Sequence, residues 1–296
     1  MNERLKLEKI VIGHNQFFGV NHLSASKGAT TSAYFSDVQN VLKLVRVAYD
    51  NGAKGMMMST HERAIPITEM ILSNSELSKE IVLYPLLPYV QKYVVAANEK
   101  GMINVVFDAL SGTKLSSKMK LILNGGKGII SNDINSILST MISLELKPFE
   151  KLRVGAVFLH DVFTDLALAL GLRDVFEFYQ EEIHSAYRAR GAFATKNLPY
   201  LLERFSEWGF SNPIVMTHFN KNGFQMNPSR EACESSLFQH KVSVMAMGTL
   251  ASGYLKPDEA YQYLSGIPNI ESVVVGTSSE VHARETFSAI KKYGLG

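Results

Sequence analysis

The segment Val242–Ser279 has the sequence VSVMAMGTLASGYLKPDEAYQYLSGIPNIESVVVGTSS. It contains one complete repeat of a pattern in which short apolar runs alternate with an amphipathic stretch. Two short apolar runs, Val242–Ala246 and Ser272–Val275, predict strands, and the amphipathic stretch 257–265 between them predicts a helix. Neither run alternates polar and apolar residues, which is typical of strands buried on both faces of a parallel sheet. The segment therefore predicts a β–α–β unit of an α/β protein.

The same pattern occurs along the rest of the chain and predicts eight β–α units. The predicted strands are residues 9–13, 55–58, 81–84, 153–159, 191–194, 213–216, 242–246 and 272–275. The predicted helices are residues 36–49, 65–78, 89–100, 173–188, 198–208, 229–238, 257–265 and 279–292. Eight units fit an α/β fold of the (β/α)8 TIM barrel type, which takes about 250 residues plus insertions. A doubly wound open sheet is the alternative, but the chain lacks an early glycine-rich fingerprint.

Residues 101–150 interrupt this alternation. Gly112 and the pair Gly125–Gly126 divide the segment, which predicts several short helices and no clear strand. We therefore predict one TIM barrel domain, residues 1–296, with a helical insertion after the third β–α unit. This insertion could cover the active site as a lid.

Composition and charge exclude several classes of protein. Of the 296 residues, 46% are hydrophobic and 20% are charged, which is typical of a globular domain. A formal net charge of +2 without a basic block predicts no nucleic-acid partner. No apolar run approaches the roughly 18 residues that span a bilayer, and the start MNERLKLEKIVIG does not resemble a signal peptide. Because Cys233 is the single cysteine, we expect no intrachain disulfide and a cytoplasmic protein without a membrane partner.

Polar side chains follow the predicted strands, at the end of a barrel where catalytic groups lie. Four of the eight histidines stand directly after a strand, and imidazole titrates near neutral pH. Pro85 and Pro88 are expected to end the third strand at its tyrosine, because proline cannot continue a hydrogen-bonded ladder. The candidate catalytic residues are His61, Tyr84, His160, Lys196 and His218.

Small residues follow the last two predicted strands. Barrels often bind phosphate at these two loops through backbone N–H groups, glycine allows close approach, and hydroxyl groups add donors. We therefore predict a phosphate or pyrophosphate site. Its candidate residues are Gly248, Thr249, Ser252, Gly253, Gly276, Thr277 and Ser278.

From about Arg190 onward, the sequence resembles the C-terminal half of an aldo-keto reductase. The likeness rests on Ala192–Asn197, on Val244–Leu255 and on Asn269–Ser279 with the helix residues 284–286, and it covers about the last third of the chain. The resemblance implies a barrel that binds NADP and reduces carbonyl groups. It also implies that the helix carrying Glu285 contacts the adenosine phosphate of that cofactor.

The catalytic tetrad of the family, a tyrosine, a lysine, an aspartate and a histidine, carries over at one position. The resemblance aligns His160 with the family's catalytic histidine. Ser59 stands at the aspartate position, no tyrosine follows it at the family's spacing, and Tyr84 precedes Pro85 where the lysine belongs. His282 stands about where an arginine often binds the 2′-phosphate. We therefore expect a divergent NADP-dependent oxidoreductase with altered catalytic residues.

Three alternatives remain open. The first is a metal-assisted lyase, isomerase or hydrolase, since imidazole and carboxylate groups bind divalent metals. The second is a Schiff-base aldolase that uses Lys196 or Lys221 on a phosphorylated substrate. The third is a barrel without catalytic activity. In each enzyme hypothesis the binding partner is a small-molecule substrate that could carry a phosphate group. The candidate metal ligands are His14, His61, Glu62, His160 and His218.

Overall fold

The structure, a computed structural model, describes residues 6–19, 25–89 and 130–295. Within these ranges the chain forms nine strands, and all of their pairings are parallel. The strands are β1 (Ile10–Ile12), β2 (Gly55–Met58), β3 (Val82–Leu87), β4 (Arg153–Val154), β5 (Ala156–Leu159), β6 (Arg190–Ala194), β7 (Ile214–His218), β8 (Ser243–Met247) and β9 (Ile270–Val275).

The sheet closes on itself. β1 pairs with both β2 and β9, and β2 also pairs with β3. β4 and β5 are successive parts of one barrel strand, because both pair with β3 and only Gly155 separates them. The described strands therefore form a closed barrel of eight parallel strands, and the predicted (β/α)8 fold is confirmed.

Helices connect successive strands and cover the barrel. They are α1 (Ala25–Tyr34), α2 (Val38–Asp50), α3 (Ala64–Ser73), α4 (Leu77–Glu80), α5 (Ile130–Leu146), α6 (Asp161–Ala169), α7 (Arg173–Tyr187), α8 (Leu198–Glu207), α9 (Arg230–Gln239), α10 (Pro257–Ser265) and α11 (Glu280–Lys292). None of the helices in these ranges has the length and apolar composition that a bilayer span needs.

α2 illustrates why these segments form helices on a barrel. The side chain of Asp37 caps the helix by accepting the amide of Gln39 at 2.9 Å. The apolar residues then recur at helical spacing and turn one face to the sheet. The buried residues of this face are Val41, Leu44, Val45, Val47 and Ala48.

Successive side chains of each strand point alternately to the helix layer and into the barrel. Met57 lies inside the barrel, whereas Met56 and Met58 belong to the core between sheet and helices. The barrel interior is closed by apolar side chains, so it is a packed core and not a channel. Its buried members are Leu7, Val11, Met57, Val82, Tyr84, Ala156, Phe158, Ala192, Ala194, Ile214, Met216 and Met245.

The prediction that the third strand ends at Tyr84 is wrong, because β3 continues through Pro85 to Leu87. β3 pairs with β4 at Val82 and Leu83 and with β5 at Leu86 and Leu87, so the proline falls between the two ladders. Pro85 lies opposite Met58 of β2 and has no register partner on the β4–β5 side, so β3 can accommodate a residue without an N–H group there.

Tyr84 consequently lies inside the barrel and away from the mouth. Its side chain is 1% exposed, and its hydroxyl accepts the amide N–H of Glu8, which precedes β1. A Cβ atom on Gly55 or on Gly155 would lie 2.9 Å from the Tyr84 ring, so these two glycines make room for it. The structure therefore gives Tyr84 a packing role in the barrel interior, and its catalytic role stays a prediction.

The predicted helix 89–100 and the first part of the predicted insertion, up to residue 129, lie outside the described residues. From residue 130 the chain forms one helix, α5, rather than several short ones. α5 packs against β3 and α7 and buries Leu138, Ile142 and Leu146. This part of the segment is therefore a member of the helix layer. The proposed lid role of 101–150 stays a prediction.

Candidate functional site

The candidate site lies at the carboxyl ends of the strands. His160 follows β5, Lys196 follows β6, and His218 is the last residue of β7. Because neighbouring parallel strands end on the same side of a sheet, these side chains meet although they are distant in sequence. Nζ of Lys196 lies 3.3 Å from Nδ1 of His218. We call this group, with Asp161, the polar chain.

His160 and Asp161 form a close pair at the start of α6. Nδ1 of His160 lies 2.6 Å from Oδ1 of Asp161. Burial would by itself raise the pKa of Asp161, but the neighbouring His160 and Lys196 lower this pKa to about 2. An ionised carboxylate at this distance requires a proton on the nitrogen that faces it, so we assign a proton to Nδ1. The amide of Val162 lies 3.1 Å from the same Oδ1 and 3.3 Å from Nδ1, and in this assignment it donates to the carboxylate.

Lys196 connects Asp161 to β7. Its Nζ lies 3.4 Å from Oδ2 of Asp161 and donates to Oε1 of Gln225 at 3.3 Å, in addition to the contact with His218. The side chain is 40% exposed, so the ion pair is screened by solvent and contributes little to stability. The contacts matter for orientation, because they hold one cation between a carboxylate and an imidazole.

The backbone at Lys196 is fixed by Asp165 of α6. Oδ1 of Asp165 accepts the hydroxyl of Thr195 at 2.5 Å, and Oδ2 accepts the amide of Lys196 at 3.0 Å. Burial raises the pKa of Asp165, while these two hydrogen bonds act in the opposite direction. Asp165 therefore fixes the backbone position of Lys196.

Four rings follow β1, β2 and β3, on the side of the barrel where β3 pairs with β5. They are His14, Phe18, His61 and Tyr89, and we call them the ring cluster. The His61 ring stacks on Phe18 with centroids 4.3 Å apart and meets Tyr89 edge-on at 5.3 Å. Nδ1 of His61 accepts the amide of Arg63 at 3.1 Å, so the neutral ring carries its proton on Nε2. Burial lowers the pKa of His61, which favours this neutral form.

His14 is the most enclosed member of the ring cluster. The residue is 7% exposed, its ring lies 4.9 Å from that of Phe18, and its Nδ1 has no hydrogen-bond partner among the described residues. Burial lowers the pKa of His14 to about 3, and the charges of His61 and His160 act in the same direction, against the neighbouring Met57 carbonyl. His14 is therefore neutral at physiological pH.

Two charged residues hold the ring cluster in place. Nη1 of Arg63 donates to the carbonyl groups of Phe17 and Ser32 at 2.9 and 3.0 Å, and Nη2 donates to the Ser32 hydroxyl at 3.0 Å. These bonds fix the turn after β1, which carries the first two rings. The buried carboxylate of Glu145 accepts the amide of Tyr89 at 3.2 Å and so anchors the fourth ring.

The loop after β8 exposes backbone close to the polar chain. Gly248, Ala251, Ser252 and Gly253 have positive φ angles of 62°, 47°, 58° and 94°. Ser252 and Gly253 are exposed, whereas the hydroxyl of Thr249 is buried and bonds that of Tyr261 at 3.1 Å. The predicted loop thus offers backbone groups and one exposed hydroxyl, while Thr249 stabilises the loop from inside.

The loop after β9 leads directly into α11. Gly276 and Ser278 are exposed, but the hydroxyl of Thr277 donates to the carbonyl of Ser279 at 3.1 Å. Ser279 caps α11 by accepting the amide of His282 at 3.3 Å. Glu285 lies exposed on the same helix. β8 and β9 are neighbours in the barrel, so the two loops lie side by side.

The predicted metal ligands do not form a metal site in the described part of the chain, where no three His, Cys, Asp or Glu side chains are grouped to hold an ion. Nδ1 of His61 is occupied by a backbone amide, and Nδ1 of His160 faces Asp161. Glu62 is exposed. The metal prediction is therefore not supported, because the candidate ligands in the described part of the chain do not converge on one point.

The two candidate Schiff-base lysines have different surroundings. Lys196 belongs to the polar chain, whereas Nζ of Lys221 pairs with Glu259 of α10 at 2.7 Å, and both of those side chains are about half exposed. The aldolase hypothesis for Lys196 stays a prediction. Lys221 lies on the surface and does not belong to the polar chain.

Neither a protein-family model nor a curated protein sequence matches the chain. Solved structures do match over nearly its whole length. A proposed aldo-keto reductase from Pseudomonas aeruginosa has a TM-score of 0.61 at 12% identity and covers 96% of this chain and 90% of its own. An aldo-keto reductase from Brucella melitensis has a TM-score of 0.53 at 10% identity, with coverages of 95% and 88%. The fold is that of the aldo-keto reductases. One such structure, from Klebsiella pneumoniae in complex with NADPH, has a TM-score of 0.51 at 14% identity and coverages of 96% and 85%.

On this aldo-keto reductase fold, the tetrad positions named by the sequence resemblance have distinct environments. His160 lies at the mouth, as its position after a strand predicted. Ser59 is buried, and its hydroxyl donates to the carbonyl of Leu86 at 3.1 Å, so it supports the backbone. Tyr84 lies in the barrel interior. The tyrosine and lysine of the family's tetrad thus have no counterpart at the positions where the resemblance aligns them.

Several residues that shape the candidate site carry weak sequence signals. Phe18 and Tyr89 are aromatic residues outside the predicted strands, where a packing role is the ordinary expectation. Asp165 and Glu145 lie within helices, where hydrophobic periodicity predicts only whether a residue is buried or exposed and does not indicate a role at the site. The pair His160–Asp161 was visible as two polar residues after a strand, but its 2.6 Å contact depends on the turn into α6.

Proposed function

We propose that this protein is an NADP-dependent oxidoreductase that interconverts a small carbonyl compound and its alcohol. The observation that carries the proposal is the His160–Asp161 pair, with Nδ1 and Oδ1 2.6 Å apart, at the mouth of an aldo-keto reductase-like barrel. An imidazole oriented by an ionised carboxylate is a common general acid and base. It replaces the tyrosine acid that the chain lacks at the aligned position.

His160 moves the proton. With Nδ1 protonated toward Asp161, the ring can bind a second proton at Nε2, and the carboxylate stabilises the resulting imidazolium. In the direction of reduction, Nε2 gives this proton to the carbonyl oxygen as the carbon receives a hydride, and the products are an alcohol and a neutral imidazole. In the direction of oxidation, the neutral Nε2 accepts the hydroxyl proton. When bound, a nicotinamide cofactor supplies or accepts the hydride.

His61 orients the carbonyl group. Its Nδ1 is occupied by the Arg63 amide, so Nε2–H is the group left to donate a hydrogen bond to the substrate oxygen. Lys196, between Asp161 and His218, keeps a positive charge near the same oxygen. Both effects stabilise the negative charge that develops on oxygen before the proton arrives.

The loops after β8 and β9 suit a cofactor that carries phosphate groups. A Cβ atom on Gly253 would meet no atom within 4 Å, so open space lies beside a backbone of positive φ. Exposed Ser252 and Ser278 add hydroxyl donors. We assign the pyrophosphate to this pair of loops and the adenosine phosphate to the start of α11, where Glu285 and Arg284 are exposed. Arg284 already pairs with Glu280 at 3.7 Å.

The proposal is tested by titrating the purified full chain with NADPH and NADH and by measuring the loss of their absorbance with a panel of small aldehydes. We expect NADPH to bind and at least one aldehyde to be reduced. His160→Gln should lower kcat/KM by about 100-fold or more, whereas His184→Gln, at an exposed position of α7, should change it less than about threefold. Absence of binding of either cofactor at millimolar concentration would overturn the proposal.

A further inference from the structure

His14 carries a buried ring nitrogen at the mouth of the barrel. Its Nδ1 makes no hydrogen bond among the described residues, and the residue is 93% buried. Buried polar groups in proteins are nearly always hydrogen-bonded, and an unpaired one destabilises the folded state. A destabilising residue at the mouth of a barrel is explained when the missing hydrogen bond is made to a ligand.

The ring cluster around His14 provides stacking surfaces and uncharged polar groups. His61 stacks on Phe18, and its Nε2–H is available for donation because the Arg63 amide occupies Nδ1. The charges of His61 and His160 both contribute to the lowered pKa of His14, so the His14 ring lies close enough to these two rings for all three to act on one small molecule. Apolar faces with neutral donors and acceptors suit a hydroxyl-bearing group.

Two cations of the described residues at this end of the barrel, Arg63 and Lys196, are already engaged. The Arg63 guanidinium makes three hydrogen bonds to Phe17 and Ser32, and the Lys196 ammonium lies 3.4 Å from the Asp161 carboxylate. The exposed carboxylate of Glu62 adds negative charge beside His61. A phosphate or carboxylate of a substrate would therefore find no free cation in the described part of the ring cluster.

We propose that the ring cluster is the substrate subsite and that His14 hydrogen-bonds an uncharged hydroxyl group next to the reacting carbonyl. The inference rests on the proposed carbonyl reduction and narrows its substrate class. It replaces the expectation of a phosphorylated substrate with that of a neutral hydroxycarbonyl compound. Neutral imidazole can donate or accept a hydrogen bond, so it fits a hydroxyl group and adds no charge for an anion.

Three aldehydes test this inference with the full chain and NADPH: glyceraldehyde, its 3-phosphate, and propionaldehyde, which lacks the hydroxyl groups. We expect kcat/KM for glyceraldehyde to exceed that for its phosphate by about tenfold or more. His14→Leu should lower kcat/KM for glyceraldehyde roughly 10- to 100-fold and for propionaldehyde less than about threefold. His14→Asn keeps a hydrogen-bonding group and should recover part of the loss.

Equal or better use of the phosphate, or equal losses on both uncharged aldehydes, would overturn the inference. Failure to reduce any aldehyde would count against the proposed function. In that case a binding experiment tests the subsite separately. In protein labelled with ¹⁵N-histidine, the ring signals of His14, assigned by their absence in His14→Leu or His14→Asn, should shift on titration with glyceraldehyde. Unchanged His14 signals at millimolar glyceraldehyde would overturn the subsite itself, whatever the turnover.

Discussion

Nδ1 of His160 lies 2.6 Å from Oδ1 of Asp161, at the first turn of the helix that follows the fourth barrel strand. Two residues adjacent in sequence usually point to different sides, and here the N-terminal turn of α6 brings them together. Oδ2 of the same carboxylate faces Nζ of Lys196 at 3.4 Å. One carboxylate thus links the imidazole to the only ammonium group of the polar chain, and the first two predictions follow from this link.

Asp161→Asn should lower kcat/KM for carbonyl reduction by roughly 100-fold, because the imidazolium of His160 loses the charge that stabilises it. The pH above which reduction declines should also fall, because a neutral amide stabilises the imidazolium less than a carboxylate does. Steady-state pH profiles of both proteins provide the measurement. Asp258→Asn removes a carboxylate that pairs with Lys292 on the surface and should leave the profile unchanged. A profile that is the same for wild type and Asp161→Asn would contradict the link.

Lys196→Met should move the same decline to higher pH, because a cation beside the Asp161–His160 pair opposes protonation of the imidazole. Activity should fall roughly tenfold or more, since a positive charge near the substrate oxygen is lost. Lys221→Met, which removes a lysine paired with Glu259, is the matched control and should change kcat/KM less than about twofold. Borohydride treatment with a carbonyl substrate should label neither lysine. Labelling of Lys196 would instead favour the Schiff-base hypothesis.

Gly248→Ala should be more destabilising than Gly253→Ala, although both glycines have positive φ. A Cβ atom on Gly248 would lie 2.5 Å from Cδ2 of His218, whereas a Cβ atom on Gly253 would meet no atom within 4 Å. We expect a loss of about 1 kcal/mol in the free energy of unfolding for Gly253→Ala, from backbone strain alone. Gly248→Ala should lose roughly 3 kcal/mol, because a steric clash is added. Urea unfolding measures both, and equal losses would show that the His218 contact is unimportant.

Tyr84→Phe should leave catalysis within about twofold of wild type and reduce the free energy of unfolding by about 1 kcal/mol, because the Glu8 amide loses its buried acceptor. Measurements of kcat/KM and of urea unfolding on the same preparation check both parts. A large loss of activity in a stable Tyr84→Phe protein would support the catalytic role that the sequence suggested.

His14→Leu should make stability less dependent on pH. Because the pKa of His14 is about 3 in the folded protein and ordinarily 6.5, the unfolded chain binds a proton between these pH values that the folded chain does not. Wild type therefore loses stability as pH falls from 6.5 toward 3. The advantage of His14→Leu over wild type should grow by about 3 kcal/mol between pH 7 and pH 4. The exposed His282→Leu serves as control and should show no such growth, as measured by urea unfolding at each pH.

The barrel could be predicted because its strands are locally encoded. The apolar runs at Ala156–Leu159 and Val242–Ala246 are buried, and the amphipathic stretches between such runs bury their apolar faces against the sheet. The prediction of the third strand was wrong at Pro85. Proline ends a ladder only where a neighbouring strand requires its missing N–H group, and the sequence does not show where the neighbouring strands pair. The gap between β4 and β5 that accommodates it depends on residues nearly seventy positions away.

The number and order of the barrel strands follow from the sequence, and so does the placement of His14, His61, His160, Lys196 and His218 after strands, because hydrophobic periodicity acts over short distances. Which of these side chains meet follows only from barrel closure and from the turns at the mouth. Closure brings Lys196 to Asp161, the turn after β1 stacks Phe18 on His61, and β3 directs Tyr84 inward. Contacts of a few ångströms depend on the relative positions of distant segments, and these are set by packing of the whole domain.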